Sequence, residues 1–414
     1  MNEKLSRRMF TAAGLAAGTF PLILPRAARG ANDRIRVGVI GVGNRSNLLI
    51  DQLPEGAEIV AVADCYRKRS EDAAAKRKAT WRIHDDYRTL LEQKDIDGVI
   101  VGTNDHGRVR CAIHAVQAGK DVYAEKPMSL YVAEGRALVR AVRKYNRILQ
   151  VGSQQRSMAM NRLACDFVRT GGLGRIRLVL GVDYSAPVAG GGLPEEPVPE
   201  GMNWDMWLGQ TAQRPYNPEL FTHWMRYWDY SGADMTNWGA HGIDQVQAAL
   251  GMDQTGPVEF RPLTGAPEGS VAFRYATGTE VRLELPAGDL QGGAMFIGEK
   301  GRIEITRNDF RTDPPNLIKE LPPKEEVDKW KRAQWQAKYH MQDWLDCMRT
   351  RKTPLADVEI GHRSISVCHI ANITRQLNRT LHWDPEAERF TADAEANDKL
   401  TRRRRKGYEL PEIG

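Results

Sequence analysis

Three short stretches carry residue types that can do chemistry together. In "YAEKPMSL", 123–130, Lys126 stands just past a short apolar run. An amine there can release or take up a proton once partial desolvation lowers its pKa. In "SGADMTNWGAHGIDQVQAALG", 231–251, Asn237, His241 and Asp244 are spaced i, i+4 and i+7, so one helix would give them a shared face. A histidine on that face can relay a proton, and an aspartate can orient the histidine. In "VGVIGVGNRS", 37–46, Gly41 and Gly43 stand between an apolar run and a helical pattern. A tight turn there brings backbone and helix N–H groups to a pyrophosphate. Ser46 replaces the third glycine of the G-x-G-x-x-G pattern. Asp64 follows Gly43 by 21 residues, where a carboxylate accepts from ribose hydroxyls and repels a 2′-phosphate. These residues predict a bound dinucleotide, NAD over NADP, although Arg67 and Lys68 lie close by. Hydride removal from an alcohol also requires loss of its hydroxyl proton, the task predicted for Lys126.

Such residues need rigid elements to hold them. Short Val- and Ile-rich runs at 34–41, 58–64, 97–103, 121–125 and 148–153 alternate with helical patterns such as 108–118 and 130–146. Strands apolar on both faces belong to a parallel, doubly wound sheet. After Gly174 the period changes to two, as in Ile176, Leu178, Leu180 and Val182, and again in Val271, Phe273 and Tyr275. That pattern predicts a sheet with one covered face, and "ATGT" at 276–279 predicts a hairpin turn. The fold class is therefore α/β: an N-terminal Rossmann doubly wound parallel sheet, then an α+β domain with a large open antiparallel sheet. Helical patterns at about 336–349 and 359–378 close the chain.

The first thirty residues are different. "SRRMFTAAGLAAG", 6–18, has paired arginines before a weakly apolar stretch, the layout of a cleaved twin-arginine signal. The expected divisions are a signal over 1–30, a dinucleotide-binding domain over 31–152 and a substrate and oligomerisation domain over 153–414. The chain is thus expected to use the twin-arginine export machinery and to work in the periplasm. Four of the six net positive charges fall in that segment, so the remainder gives no footing for nucleic acid. "RRRRK" at 402–406 is read as a solvated run. Five cysteines without C-x-x-C spacing argue against disulfide staples, and no third ligand joins His241 for a metal.

The combination resembles the glucose–fructose oxidoreductase/inositol dehydrogenase/MocA (Gfo/Idh/MocA) family of sugar oxidoreductases. The resemblance rests on "VGVIGVGNRS", "VADCY", "TNDHGR", "AGKDVYAEKP", "QVGSQQR", "NWDMWLG", "WMRYWDYSGADMTNWGAHGID" and "VEIGHRSISVCHIANI". It implies a catalytic lysine at Lys126 and an aspartate–x–glycine–x–histidine motif at Asn237, Gly239 and His241. The motif's aspartate is asparagine here, which shifts acid–base work onto Lys126 and His241. Gly41, Gly43, Asn44, Arg45, Asp64, Thr103, Asn104, His106, Glu125 and Lys126 form the expected cofactor set. Trp204, Trp207, Phe221, Trp224, Tyr227, Trp228 and Tyr230 suit a polyhydroxylated ligand where they are not core, and Arg156, Arg226 and Asp244 are the expected substrate contacts. The implied activity is hydride transfer on a sugar with tightly held NAD in a closed redox cycle, in a homo-oligomer. The alternatives are a redox-neutral, NAD-using glycoside-cleaving enzyme and a non-catalytic cofactor- or sugar-binding protein.

Overall fold

The computed structural model describes residues 34–413 except 266–268, 289, 333 and 334, so the expected signal at 1–30 lies outside the described residues. The apolar runs form β1 (Ile35–Ile40), β2 (Ala57–Ala63), β4 (Gly98–Val101), β5 (Asp121–Ala124) and β6 (Leu149–Val151). A further strand, β3 (Arg82–His84), is three half-buried residues at the sheet edge, too short and too polar for its pattern to announce it. The six strands are parallel, in the order β3-β2-β1-β4-β5-β6. The order reverses between β1 and β4, and in such sheets the crevice beyond that point is where ligands bind.

Both faces of this sheet are covered, as near-continuous apolar strands require. Helices Asp105–Gln117 and Val132–Lys144 bury one face, with Val109, Ala112, Val116 and Leu138 in its core. The other face receives helix Lys338–Thr350 from far along the chain. Its Met341, Trp344 and Leu345 pack with Val37, Val39, Ile100 and Tyr123.

The second sheet has nine strands: β7 (Ile176–Val182), β8 (Glu259–Pro262), β9 (Val271–Arg274), β10 (Glu280–Leu285), β11 (Ala294–Gly298), β12 (Gly301–Ile305), β13 (Phe310–Asp313), β14 (Leu381–Asp384) and β15 (Arg389–Phe390). Their order is β13-β12-β11-β7-β10-β9-β8-β14-β15. β9 and β10 form the expected hairpin around Gly278, whose φ of +86° suits glycine at the turn. The sheet is mixed, not wholly antiparallel, because β7 pairs with β10 in parallel at its centre. Period-two patterning reports which face a residue takes and is silent about strand direction, which explains the difference. The 20-residue helix Val358–Leu377 is buried along most of its length. It packs on Val132–Lys144 of the first sheet's cover and on Gly239–Leu250 of the second.

The single helix expected over 231–251 is two, Ala233–Asn237 and Gly239–Leu250, joined at Trp238. The arginine run is solvated only in part: Arg403 and Lys406 are exposed, and the other three are engaged. Arg402 donates to the Asp229 carbonyl at 2.9 Å, Arg404 to Glu134 at 2.9 Å, and Arg405 to the Asp205 and Gly209 carbonyls at 2.9 Å each. These acceptors lie far away in sequence, so no local pattern reports them. Glu134 is fully buried, and its other oxygen has no hydrogen-bond partner among the described residues. Arg404→Ala therefore leaves a buried carboxylate without its cation. The expected loss is about 3 kcal/mol of unfolding free energy in urea titration; an unchanged midpoint would show that Glu134 finds another partner.

Candidate active site

The carboxyl ends of β1, β2, β4 and β5 open on a cavity of about 620 Å³. Its opposite wall comes from the aromatic segment 206–225 and from the Asn237–His241 turn. Gly41 has φ +81°, and a Cβ on it would lie 2.8 Å from the Thr103 nitrogen, so the turn requires glycine. Gly43 caps helix Asn44–Asp51 without any side-chain cap, and a Cβ on it would meet nothing within 4 Å. Open space in front of uncapped helix amides suits a diphosphate. Ser46 takes the place of the third glycine because Gly102 makes the room, where a Cβ would sit 2.0 Å from the Ser46 hydroxyl.

Asp64 lines the cavity at the end of β2. Its two oxygens accept from the Val42 amide at 2.6 Å and the Tyr66 amide at 2.8 Å, which fastens the carboxylate beside the turn. Burial pushes its pKa up, against these amides and Arg69. Arg67 binds Glu71 and Asp85, and Lys68 binds Asp72, all at the surface away from the cavity. Arg69, unnoticed in the sequence, lines the cavity with its guanidinium 4.5 Å from the Phe221 ring centre. This set fits a dinucleotide: room at Gly43, amide donors, and a fixed carboxylate for ribose.

The proton chemistry sits at the other end. Lys126 Nζ donates to Asn237 Oδ1 at 2.6 Å and to the Asn237 carbonyl at 3.2 Å. Burial lowers the lysine to about 8, opposed by Glu125 and Asp105. The Lys126–Pro127 peptide is cis. Arg108 fixes the surrounding loops by donating to the Pro127 and Thr103 carbonyls and to Asp105, which also accepts from Ser231 at 2.8 Å. Glu125 is buried beneath and accepts from Arg45 Nε at 2.8 Å. His241 lines the same end. Burial, with Arg307, Lys126 and Arg45 around it, pushes its pKa far down, so the imidazole is neutral.

Asn44, Arg45, Thr103, Asn104 and Glu125 line the cavity as expected residues, and four other residues fall elsewhere. Arg156 is buried in a double ion pair, its Nε on Asp244 at 2.8 Å and its Nη2 on Asp253 at 2.8 Å. Asp244 accepts also from Ser364 at 2.7 Å. Its carboxylate is thus engaged by Arg156 and Ser364, and it does not line the cavity. Arg226 is exposed and pairs with Glu219 at 3.2 Å. His106 is fully buried, bonds the Trp207 carbonyl at 2.7 Å and packs on Tyr230; burial pushes it down to about 3, a neutral core histidine. Trp204, Trp207, Tyr227 and Tyr230 are buried, while Trp207, Phe221 and Trp224 give surface to the cavity. Trp238 and Arg307 complete it, and nothing local in the sequence marked either one.

Comparison with known proteins agrees with this architecture. Residues 35–153 match the oxidoreductase-family model for the NAD-binding Rossmann fold, and 177–410 match that family's C-terminal alpha/beta domain. The chain belongs to the Gfo/Idh/MocA oxidoreductase family, and its first domain is an NAD-binding Rossmann domain. Inositol 2-dehydrogenase of Salmonella typhimurium is 26% identical over 170 residues, 40% of this chain and 49% of that protein. The chain thus spans about half the length of that curated relative. The WlbA dehydrogenase of Bordetella pertussis, solved with NADH and UDP-GlcNAcA, shares the fold at a TM-score of 0.60 and 20% identity, over 85% of this chain and 99% of its own. Scyllo-inositol dehydrogenase of Lactobacillus casei, solved with NAD(H) and scyllo-inositol, does so at 0.59 and 16%, over 84% and 99%.

The Lys126–Asn237 contact makes a signed prediction. A carboxylate in place of the amide stabilises the ammonium, so Asn237→Asp raises the lysine pKa. Acylation of Lys126, read by mass spectrometry against pH, should be half-maximal near pH 8 in the natural protein. In Asn237→Asp it should move up by about one pH unit or more. Coincident profiles would mean that Asn237 does not set the lysine's charge.

Proposed function

We propose that the protein is an NAD-dependent oxidoreductase acting on a carbinol of a sugar or sugar derivative. One observation carries this reading: a desolvated lysine, lowered to about 8 and hydrogen-bonded to a neutral amide, in the cavity that Gly41, Gly43 and Asp64 also line. Bound along Gly41, Gly43 and Asp64, the nicotinamide nucleotide supplies the hydride acceptor. Lys126 in its neutral form takes the hydroxyl proton as the carbinol becomes a carbonyl. Asn237 Oδ1 then accepts from the new ammonium and holds it in place. His241, neutral, offers a hydrogen bond to the sugar, and the rings of Trp207, Trp224 and Trp238 offer apolar faces to it. Asp64 beside the ribose position, with Arg67 and Lys68 engaged elsewhere, supports NAD over NADP.

The same reading extends to compartment. The paired Arg7–Arg8 and the weakly apolar stretch behind them support twin-arginine export to the periplasm of a chain folded around its nucleotide. Free nucleotide is scarce there, so electrons taken from one carbohydrate return to a second, or to the same one, while NAD stays bound.

Lys126→Ala should lower turnover about 10²-fold or more with NAD affinity unchanged; near-natural turnover would reject the assignment. Protein stripped of nucleotide should bind NAD more tightly than NADP in calorimetry, and the reverse order would transfer the ribose pocket to Arg69. Dialysed protein should turn over carbohydrate many times without added nucleotide. Stoichiometric NADH appearing in solution would rule out the closed cycle and leave a conventional dehydrogenase.

A further inference from the structure

Arg307, in the turn between β12 and β13, reaches the cavity at the end that holds His241. Its Nε and Nη2 are buried and meet no hydrogen-bond partner among the described residues. Its guanidinium lies 5.7 Å from the Trp238 ring centre, and its Nη1 faces Gly292, where His241 and Gln155 also converge. A buried cation without an anion is costly, and native proteins pair such groups or lose them. The nearby carboxylates are already taken. Glu125 is held by Arg45, and Asp105 by Arg108 and Ser231. Lys126 is turned toward a neutral amide. Among the described residues no carboxylate hydrogen-bonds the Arg307 guanidinium, and Glu125, which attracts it, is engaged by Arg45.

We propose that Arg307 receives a carboxylate of the substrate, so that the sugar is an acidic one, a uronate or an aldonate. A guanidinium is a permanent cation that pairs with carboxylates; Nε and Nη2 are closed to solvent, and Nη1 is the nitrogen not so enclosed, the donor left for a ligand in the cavity. Trp238 below it supplies the ring face that fixes its plane. The inference rests on the proposed dehydrogenase reading for the word substrate. Anionic oxygens could also come from the nucleotide's diphosphate, and the experiment separates the two sources.

NAD-loaded protein is titrated with matched pairs, glucuronate with glucose, galacturonate with galactose and gluconate with glucitol, following tryptophan fluorescence, to which Trp207, Trp224 and Trp238 on the cavity contribute. The acidic member of at least one pair should bind about tenfold or more tightly than its neutral partner, the scale of a charged hydrogen bond. In Arg307→Gln that preference should fall to about twofold or less, with Arg307→Lys intermediate. Among the described residues Arg307 has no hydrogen-bonded partner to lose, so the glutamine variant should melt no lower than the natural protein, and its NAD affinity should be unchanged. Equal or tighter binding of every neutral member, or no saturable response to any acid, overturns the proposal. So does a preference that survives in Arg307→Gln, or a loss of NAD affinity instead, which would assign Arg307 to the diphosphate. Carbohydrate turnover is followed separately: acid-selective binding in a protein whose turnover survives Lys126→Ala keeps this inference and overturns the dehydrogenase reading.

Discussion

The site depends on one ammonium taken out of water and held against a neutral acceptor. Lys126 meets the side-chain and main-chain oxygens of Asn237, neither of which carries a charge. A carboxylate in that place would favour the charged amine; an amide oxygen accepts its hydrogen bond without doing so to the same degree. Burial then decides, and it pulls the lysine to about 8. Such a balance needs an immobile backbone. Arg108 supplies it, tying together the loops after β4 and β5 through the carbonyls of Thr103 and Pro127. Glu125, clamped by Arg45 beneath, keeps a counter-charge near without touching the amine's acceptor.

The wall opposite the lysine is positioned by interlocking segments distant in sequence. Helix Lys338–Thr350 closes the first sheet's core, while helix Val358–Leu377 joins the two layers. Arg405 near the C-terminus binds the carbonyls at Asp205 and Gly209, beside the Trp207 edge of the cavity. The aromatic stack of Trp204 on Trp207, 4.4 Å apart, stiffens that edge from behind. The cavity is thus bounded by a sheet edge on one side and by a braced aromatic ledge on the other.

What was legible in the sequence is what short-range geometry dictates. The glycine turn, Asp64 and Lys126 could be placed because each sits at the end of a buried parallel strand, where topology alone fixes the position. Arg156 and Asp244 misled because their chemistry suits a ligand as well as it suits each other, and the third partner, Asp253, comes from a different loop. His106 misled for a similar reason: the acceptor that satisfies it is a carbonyl 101 residues away. Arg69 and Arg307 were invisible because a cation that lines a cavity differs from one in a surface ion pair only in its surroundings. The parallel β7–β10 pair escaped because alternation carries no direction.

Arg307 and Arg156 make an instructive contrast, since both are arginines withdrawn from water near the same helix. Arg156 is met by two aspartates, and attraction holds its pKa above the ordinary value against desolvation. Arg307 is met by a ring face, and burial with Arg45 beside it draws it down to about 10 against the weaker pull of Tyr184 and Glu125. A fold that can supply Asp244 and Asp253 to one guanidinium could, by a single acidic substitution among the residues around Gly292, supply the other. Leaving it unpaired lowers stability and gains nothing in packing that a leucine or methionine would not provide. Departures from self-consistency of that kind concentrate where a molecule other than the protein completes the arrangement. The positive end of this cavity is therefore a feature of the bound state, and the free protein carries its electrostatic cost.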